Sequence, residues 1–160
     1  MRIDCHDEDD VDRCPFKLND DDVTRFAMAM PQMEWLYLGY PCSKNTCATT
    51  VACLLPISVY CVGLQEMDIH FNTTNIVNDL KNISRDPRFQ TLRSLPRCSL
   101  DYLGVSRMPL AVDSPNFEAL VNGMVDIFPS LRNLSSPTVS AIHGSDWEGF
   151  YERITERWKM

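Results

Sequence analysis

Cysteine and histidine are the side chains here best suited to chemistry. Cys5, His6 and Cys14 lie close together and offer donors that zinc accepts. Their spacing matches no zinc motif, and the acidic stretch around them reads as a solvated arm. Cys42, Cys47, Cys53 and Cys61 have four, five and seven residues between them, so no Cys-x-x-Cys pair forms. A cysteine nucleophile needs a histidine within reach, and His6, His70 and His143 are far apart in sequence. Asp68-x-His70 places a carboxylate and an imidazole on one side of an extended segment, as an acid–base pair requires. With no nucleophile beside them, two alternating strand residues fit a binding surface better. GxSxG, P-loop and GxGxxG patterns are absent, and the six glycines stand singly. The expectation is a non-enzymatic protein with no cofactor and no bound metal.

Composition narrows the partner. The 160 residues are 44% hydrophobic and 23% charged, which suits one globular domain with a real core. Net charge is −7, and nucleic-acid binding needs clustered Lys and Arg, so a nucleic-acid partner is not expected. The longest apolar stretch, 51–64, is too short to cross a membrane and contains Pro56. "MRIDCHDEDD" has no basic start followed by an apolar run, so the reading is a cytoplasmic or nuclear protein with reduced, mostly buried thiols. The triplets at Asn72, Asn82 and Asn133 then read as chance glycosylation matches.

The elements that position these residues follow from self-similarity. Met30-Pro31-Gln32-Met33-x-x-Leu36 matches Phe128-Pro129-Ser130-Leu131-x-x-Leu134. Between them lie Leu64-x-x-Met67-x-Ile69 and Leu100-x-x-Leu103-x-Val105. The four copies start at 33, 64, 100 and 131, and the last is degraded, with Ser136 in its third apolar place. Each copy reads as a short strand with apolar residues at alternating positions.

Helices fill the intervals. Residues 20–30 carry Val23, Phe26, Ala27 and Met30 at helical spacing, with acids in the first turn and Asn19 or Asp20 as cap. Residues 116–128 repeat the pattern, capped by Ser114 or Asn116. Both helices stop at a proline, Pro31 or Pro129, which pushes its predecessor out of the helical region. A third helix is expected over 45–61, with a break or kink at Pro56. A short helix precedes Asp86-Pro87, and a turn or second short helix follows over 88–95. Strands joined by helical crossovers are parallel. The fold class is therefore α/β: a solenoid with short parallel strands on its concave side and helices on its convex side.

The Φ-x-x-Φ-x-Φ strands with helical returns resemble leucine-rich repeats. The "AMPQMEWLYLG" join, "LQEMDIHF" and "FPSL…DWEGFYERI" resemble more narrowly the C-terminal repeat region of fungal F-box-like proteins, over about residues 18–158. That resemblance implies substrate recognition for a ubiquitin ligase. Two features depart from it. No Leu-Pro-rich F-box stretch precedes the repeats, and Gly39 and His70 stand where the usual asparagine would be. A ligase adaptor is thus a partner only if an F-box lies upstream.

Domain organisation reads as an acidic, flexible arm over 1–17 and one repeat domain over 18–160, closed by a capping helix at 145–158 whose aromatics cover the last repeat. No comparable lid stands at the N-terminal side, as in a fragment of something longer. Leu36 and Leu38 face inward, so the outward positions are Trp35 and Tyr37, then Glu66, Asp68 and His70, then Tyr102 and Gly104, then Asn133 and Ser135. Trp35, Tyr37, Glu66, Asp68, His70 and Tyr102 are the expected protein-binding residues, and a basic or mixed peptide segment complements their acids. Two alternatives stand beside this reading: a degenerate repeat fragment with no partner, and a cysteine-dependent hydrolase on an α/β scaffold.

Overall fold

The computed structural model describes residues 2–3, 18–38, 48–72, 74–105, 115–135 and 156. It is a mixed α/β protein. Strand β1 (Arg2–Ile3) is followed by α1 (Asp20–Ala29) and β2 (Trp35–Leu38). A 3-10 turn (Val51–Cys53) leads into α2 (Leu54–Tyr60) and β3 (Glu66–Ile69). Helices α3 (Ile76–Arg85) and α4 (Pro87–Arg93), β4 (Tyr102–Val105), α5 (Pro115–Ile127) and β5 (Asn133–Ser135) complete the order. The five strands form one sheet in chain order, and every neighbouring pair is parallel.

The register follows the sequence offsets. Leu36 pairs with Met67, Met67 with Leu103, and Leu103 with Leu134. The residues just before the strands stack in the same way. The Glu34 carbonyl accepts the Gln65 N–H at 2.8 Å, the Gln65 carbonyl accepts that of Asp101 at 2.9 Å, and the Asp101 carbonyl accepts that of Arg132 at 3.4 Å. Met33, Leu64 and Leu131 each donate an N–H to the carbonyl three residues back, on Met30, Cys61 and Phe128, at 3.2, 3.0 and 3.2 Å. Strands β2, β3 and β5 are thus entered through the same turn.

One sheet face packs on the helices. Leu36, Met67, Ile69 and Leu103 are fully buried, with Leu64, Leu100 and Leu131 beside them at the strand entrances. Val23 and Ala27 of α1, Leu54, Leu55 and Ile57 of α2, Ile76 and Ile83 of α3, and Leu120 and Met124 of α5 belong to the same core. A lengthwise apolar stripe on each helix meets the alternate residues of each strand, so the two periodicities bury a common set.

Local chemistry sets the helix ends. Asn19 caps α1: its side chain accepts the Asp22 N–H at 3.0 Å, and Asp22 accepts the Asn19 N–H at 3.3 Å. Met30, ahead of Pro31, leaves the helical region at φ −128°, ψ 59°. Asp86 ends α3 in extended conformation ahead of Pro87 and caps α4 by accepting the Arg88 N–H at 2.9 Å. The second short helix over 88–95 is therefore α4.

Three expectations are corrected. Arg2–Ile3 pair with Tyr37 and Leu38 as an edge strand, so a free arm over 1–17 does not hold at these two residues; two residues are too few to show alternation in a sequence. The third helix starts later than 45. Ala48 bridges Asn19, and helical structure begins only at Val51. Pro56 does not break that helix. It sits in the first turn of α2, a position that tolerates proline, and the irregularity lies before it, at the change from 3-10 to α geometry. The expected capping helix at 145–158 lies outside the described residues except for Glu156, which is helical and exposed. Residues 4–17, the cap proposed at Ser114 and the degraded repeat position Ser136 lie outside them as well.

Candidate protein-binding face

The sheet face away from the helices carries five of the six expected residues. Trp35, Glu66 and Tyr102 form one row across β2, β3 and β4, and Tyr37, Asp68 and Gly104 form the next. Strands β2 and β3 share the same alternation of exposed or half-buried with buried residues. His70 lies one residue past β3, where its N–H donates to the Leu38 carbonyl at 3.2 Å and prolongs the pairing. It therefore marks the end of the face rather than its centre. Asn133 and Ser135 continue the two rows by register on β5.

These side chains interact. The Tyr37 hydroxyl donates to Glu66 Oε2 at 3.3 Å, reaching diagonally between the rows. The Trp35 and Tyr37 rings have centroids 6.1 Å apart with planes inclined at 54°, a favourable tilted contact. Partial burial, followed by the charge and hydrogen bond of Glu66 and the fields of Tyr102 and Asp68, pushes the Tyr37 phenol above its usual value. Gly104 has a spatial role that the sequence reading missed. A Cβ there would come within 2.9 Å of Asp68 Cγ, so the glycine makes room for the neighbouring carboxylate. Absence of a side chain has no periodic signature, and only the register with Asp68 gives it meaning.

The described cysteines point away from nucleophilic chemistry. Cys53, Cys61 and Cys98 are buried. Burial pushes the Cys61 thiol up to about 11 and the Cys98 thiol up to about 12, against an ordinary value of 9.0. An activated cysteine shifts the other way. Both thiols should resist a disulfide reagent at pH 8 in the folded protein and react on unfolding. Because their folded values lie above the unfolded ones, they stabilise the fold fully below about pH 9 and progressively less as pH rises through 11 to 12. Denaturant midpoints at pH 8 and pH 10.5 should therefore differ less in a Cys61→Ala/Cys98→Ala variant than in the parent chain. Cys5, Cys14, Cys42 and Cys47 lie outside the described residues.

Other sites are sparse. Among the described residues, no three His, Cys, Asp or Glu side chains gather as a metal site. No described helix is long and apolar enough to cross a membrane. A groove of about 620 Å³ lies between α1, α2 and α4, with Pro56, Tyr60, Phe89 and Leu92 along it and Asp21 and Arg88 4.0 Å apart at its edge. Its walls are mostly apolar, with no convergent set of reactive groups. The molecule is thus an α/β protein with a parallel sheet, buried on one face and decorated with aromatics and acids on the other. No family model, curated protein or solved structure matches this chain.

Proposed function

We propose that this chain is a non-enzymatic protein-recognition module, a leucine-rich-repeat-like solenoid that binds a partner protein on its outward strand face. The observation that carries the reading is the register: Leu36, Met67, Leu103 and Leu134 stand side by side on parallel strands, and the outward residues line up in rows of their own. A sheet of this kind holds Trp35, Tyr37, Glu66, Asp68 and Tyr102 in fixed relation, and rigid aromatic anchors give contact area at small entropy cost. By its resemblance, the module is the substrate-binding part of an F-box ubiquitin-ligase subunit. The adaptor joins only through an F-box encoded upstream of Met1, which the upstream coding sequence tests directly.

Recognition is tested by selecting binders from an unbiased peptide-display library against the full chain. Enriched peptides should lose binding to a Trp35→Ala/Tyr102→Ala variant and keep it with Arg25→Ala/Asp126→Ala, which alters exposed helix positions. Binders that depend on the helix pair and ignore the strand pair would refute the assignment.

A further inference from the structure

The groove of about 620 Å³ between α1, α2 and α4 lies among the helices, away from the outward strand residues. Ala48, Ala52, Pro56 and Tyr60 follow one another at steps of four and form its floor. Thr24 stands on the α1 wall, and Phe89 and Leu92 on the α4 wall. Met28, one turn past Thr24, and Leu95, three residues past Leu92, extend the walls and are 56% and 42% exposed. Floor and walls run in one direction. Asp20 and Thr50 bond at the helix starts, and near the ends the Cys61 thiol donates to the Ala27 carbonyl at 3.7 Å. Arg88, at the start of α4, is 4.0 Å from Asp21, and the Cys98 N–H, past its end, donates to the Ser58 carbonyl at 2.6 Å. Charge divides the groove lengthwise. Asp20, Asp21, Asp22 and Asp86 stand at the helix starts, with Asp79 of α3 near Asp20 and Arg88 as counter-charge. Farther along, 23–33 carries Arg25 and no acid, 51–64 no charge, and 89–100 Arg93, Arg97 and no acid. Glu34 follows only past the end of α1, before β2.

We infer that this groove binds an amphipathic α-helix of a partner protein, laid antiparallel to α1 and α2 with its basic end at the aspartates. This second surface is separate from the strand face and does not depend on it. A floor about three turns long matches a helix that docks through apolar residues at i, i+4 and i+7. Ala52 and Pro56 have short side chains, so the incoming backbone approaches closely, while Tyr60, Phe89, Met28 and Leu95 supply apolar contact. Direction follows from electrostatics. A helix is stabilised by acids in its first turn and bases in its last. Antiparallel placement sets those bases beside Asp20, Asp21 and Asp22, and those acids toward Arg93 and Arg97. It also opposes the dipole of the incoming helix to those of α1 and α2, which run together. Parallel placement would bring like charges together at both ends.

The test uses the full chain and three labelled peptides, each held helical by the same side-chain bridge. The first carries a leucine stripe, glutamates in its first turn and lysines in its last. The second exchanges the glutamates and lysines, and the third replaces leucine by serine. By fluorescence anisotropy at low salt, the first should bind about tenfold more tightly than the second, although their net charges are equal. It should also bind at least about tenfold more tightly than the third. Asp21→Asn should weaken the first peptide about threefold, and Leu95→Ser by a similar factor. Asp126→Asn makes the same charge change at an exposed position on α5, outside the groove, and should leave its affinity unchanged. Tyr102→Ala, on the strand face, should leave it unchanged too. A photo-reactive group at the lysine end should crosslink to the start of α1, as read by mass spectrometry. No binding by the first peptide, or equal affinity for it and either of the others, would overturn the inference. So would equal effects of the two aspartate variants, or crosslinking of the lysine end to the end of α2. Loss of binding in Tyr102→Ala would put the helix on the strand face and overturn it as well. Short display peptides seldom form helices in isolation, so the earlier selection reports on the strand face and the bridged peptides on this groove.

Discussion

Met67→Ala should lower the free energy of unfolding by about 3 kcal/mol, while Glu66→Ala, one residue earlier on β3, should change it by less than about 0.5 kcal/mol. Met67 is fully buried and stands in register between Leu36 and Leu103, both also fully buried. Removing its side chain leaves a cavity that β2 and β4 cannot fill without disturbing their own pairing, so lost transfer energy and lost contacts add. Glu66 faces the other way and is exposed. Denaturant titration followed by far-ultraviolet circular dichroism measures both. Met67→Ala and Leu103→Ala should also combine non-additively, because the two positions are adjacent and share one packing site. Equal effects of the two β3 substitutions would contradict the assignment of the buried face. The contrast is informative because native stabilities of small domains are only about 5–15 kcal/mol, so one core substitution removes a large share.

Among three consecutive aspartates, Asp20 should matter most. Asp20→Ala is expected to cost about 2 kcal/mol, Asp22→Ala about 1 kcal/mol and Asp21→Ala less than about 0.5 kcal/mol. Asp20 Oδ1 accepts the Thr50 N–H at 2.7 Å, and Oδ2 accepts the Thr50 hydroxyl at 2.7 Å. Thr50 Oγ1 in turn accepts the Ala52 N–H at 3.1 Å and caps the 3-10 turn. One carboxylate thus ties the start of α1 to the start of the next helical segment. Beside it, Thr49 Oγ1 donates to the Leu18 carbonyl at 2.9 Å, and the Thr49 carbonyl accepts the Asn72 N–H at 2.8 Å. Removing the carboxylate strands a part-buried N–H and hydroxyl, which costs more than a solvent-exposed bond. Asp22 has only the capping-box role, and Asp21 meets Arg88 at 4.0 Å between two exposed side chains. Asp79 gives a second readout. Burial and then the charge of Asp20 push its carboxyl above the ordinary value, so Asp20→Ala should move it back down in a carboxyl titration by nuclear magnetic resonance. Thermal or denaturant melts of the three variants measure the ranking, and a ranking led by Asp21 would refute the tie.

Much of this architecture could be read from the residue order because two periodicities coincide in it. Apolar residues alternate along each strand, and the copies beginning at 33, 64, 100 and 131 recur at nearly even intervals. Interval and alternation together specify which side chains lie side by side, and Leu36, Met67 and Leu103 accordingly share a column while Trp35, Glu66 and Tyr102 share a row. Prolines at 31, 87 and 129 mark element boundaries because a missing N–H and a fixed φ act locally. Other features needed three dimensions. Arg2–Ile3 join the sheet through backbone pairing, which carries no side-chain pattern. Asp20 holds Thr50 across thirty residues of chain, and Gly104 clears space for Asp68 on the adjacent strand. Pro56 is harmless only because of where its helix begins. Periodic burial repeats along the chain and so leaves its mark in residue order; a single contact between distant segments occurs once, and its partners become neighbours only when the sheet and helices are assembled.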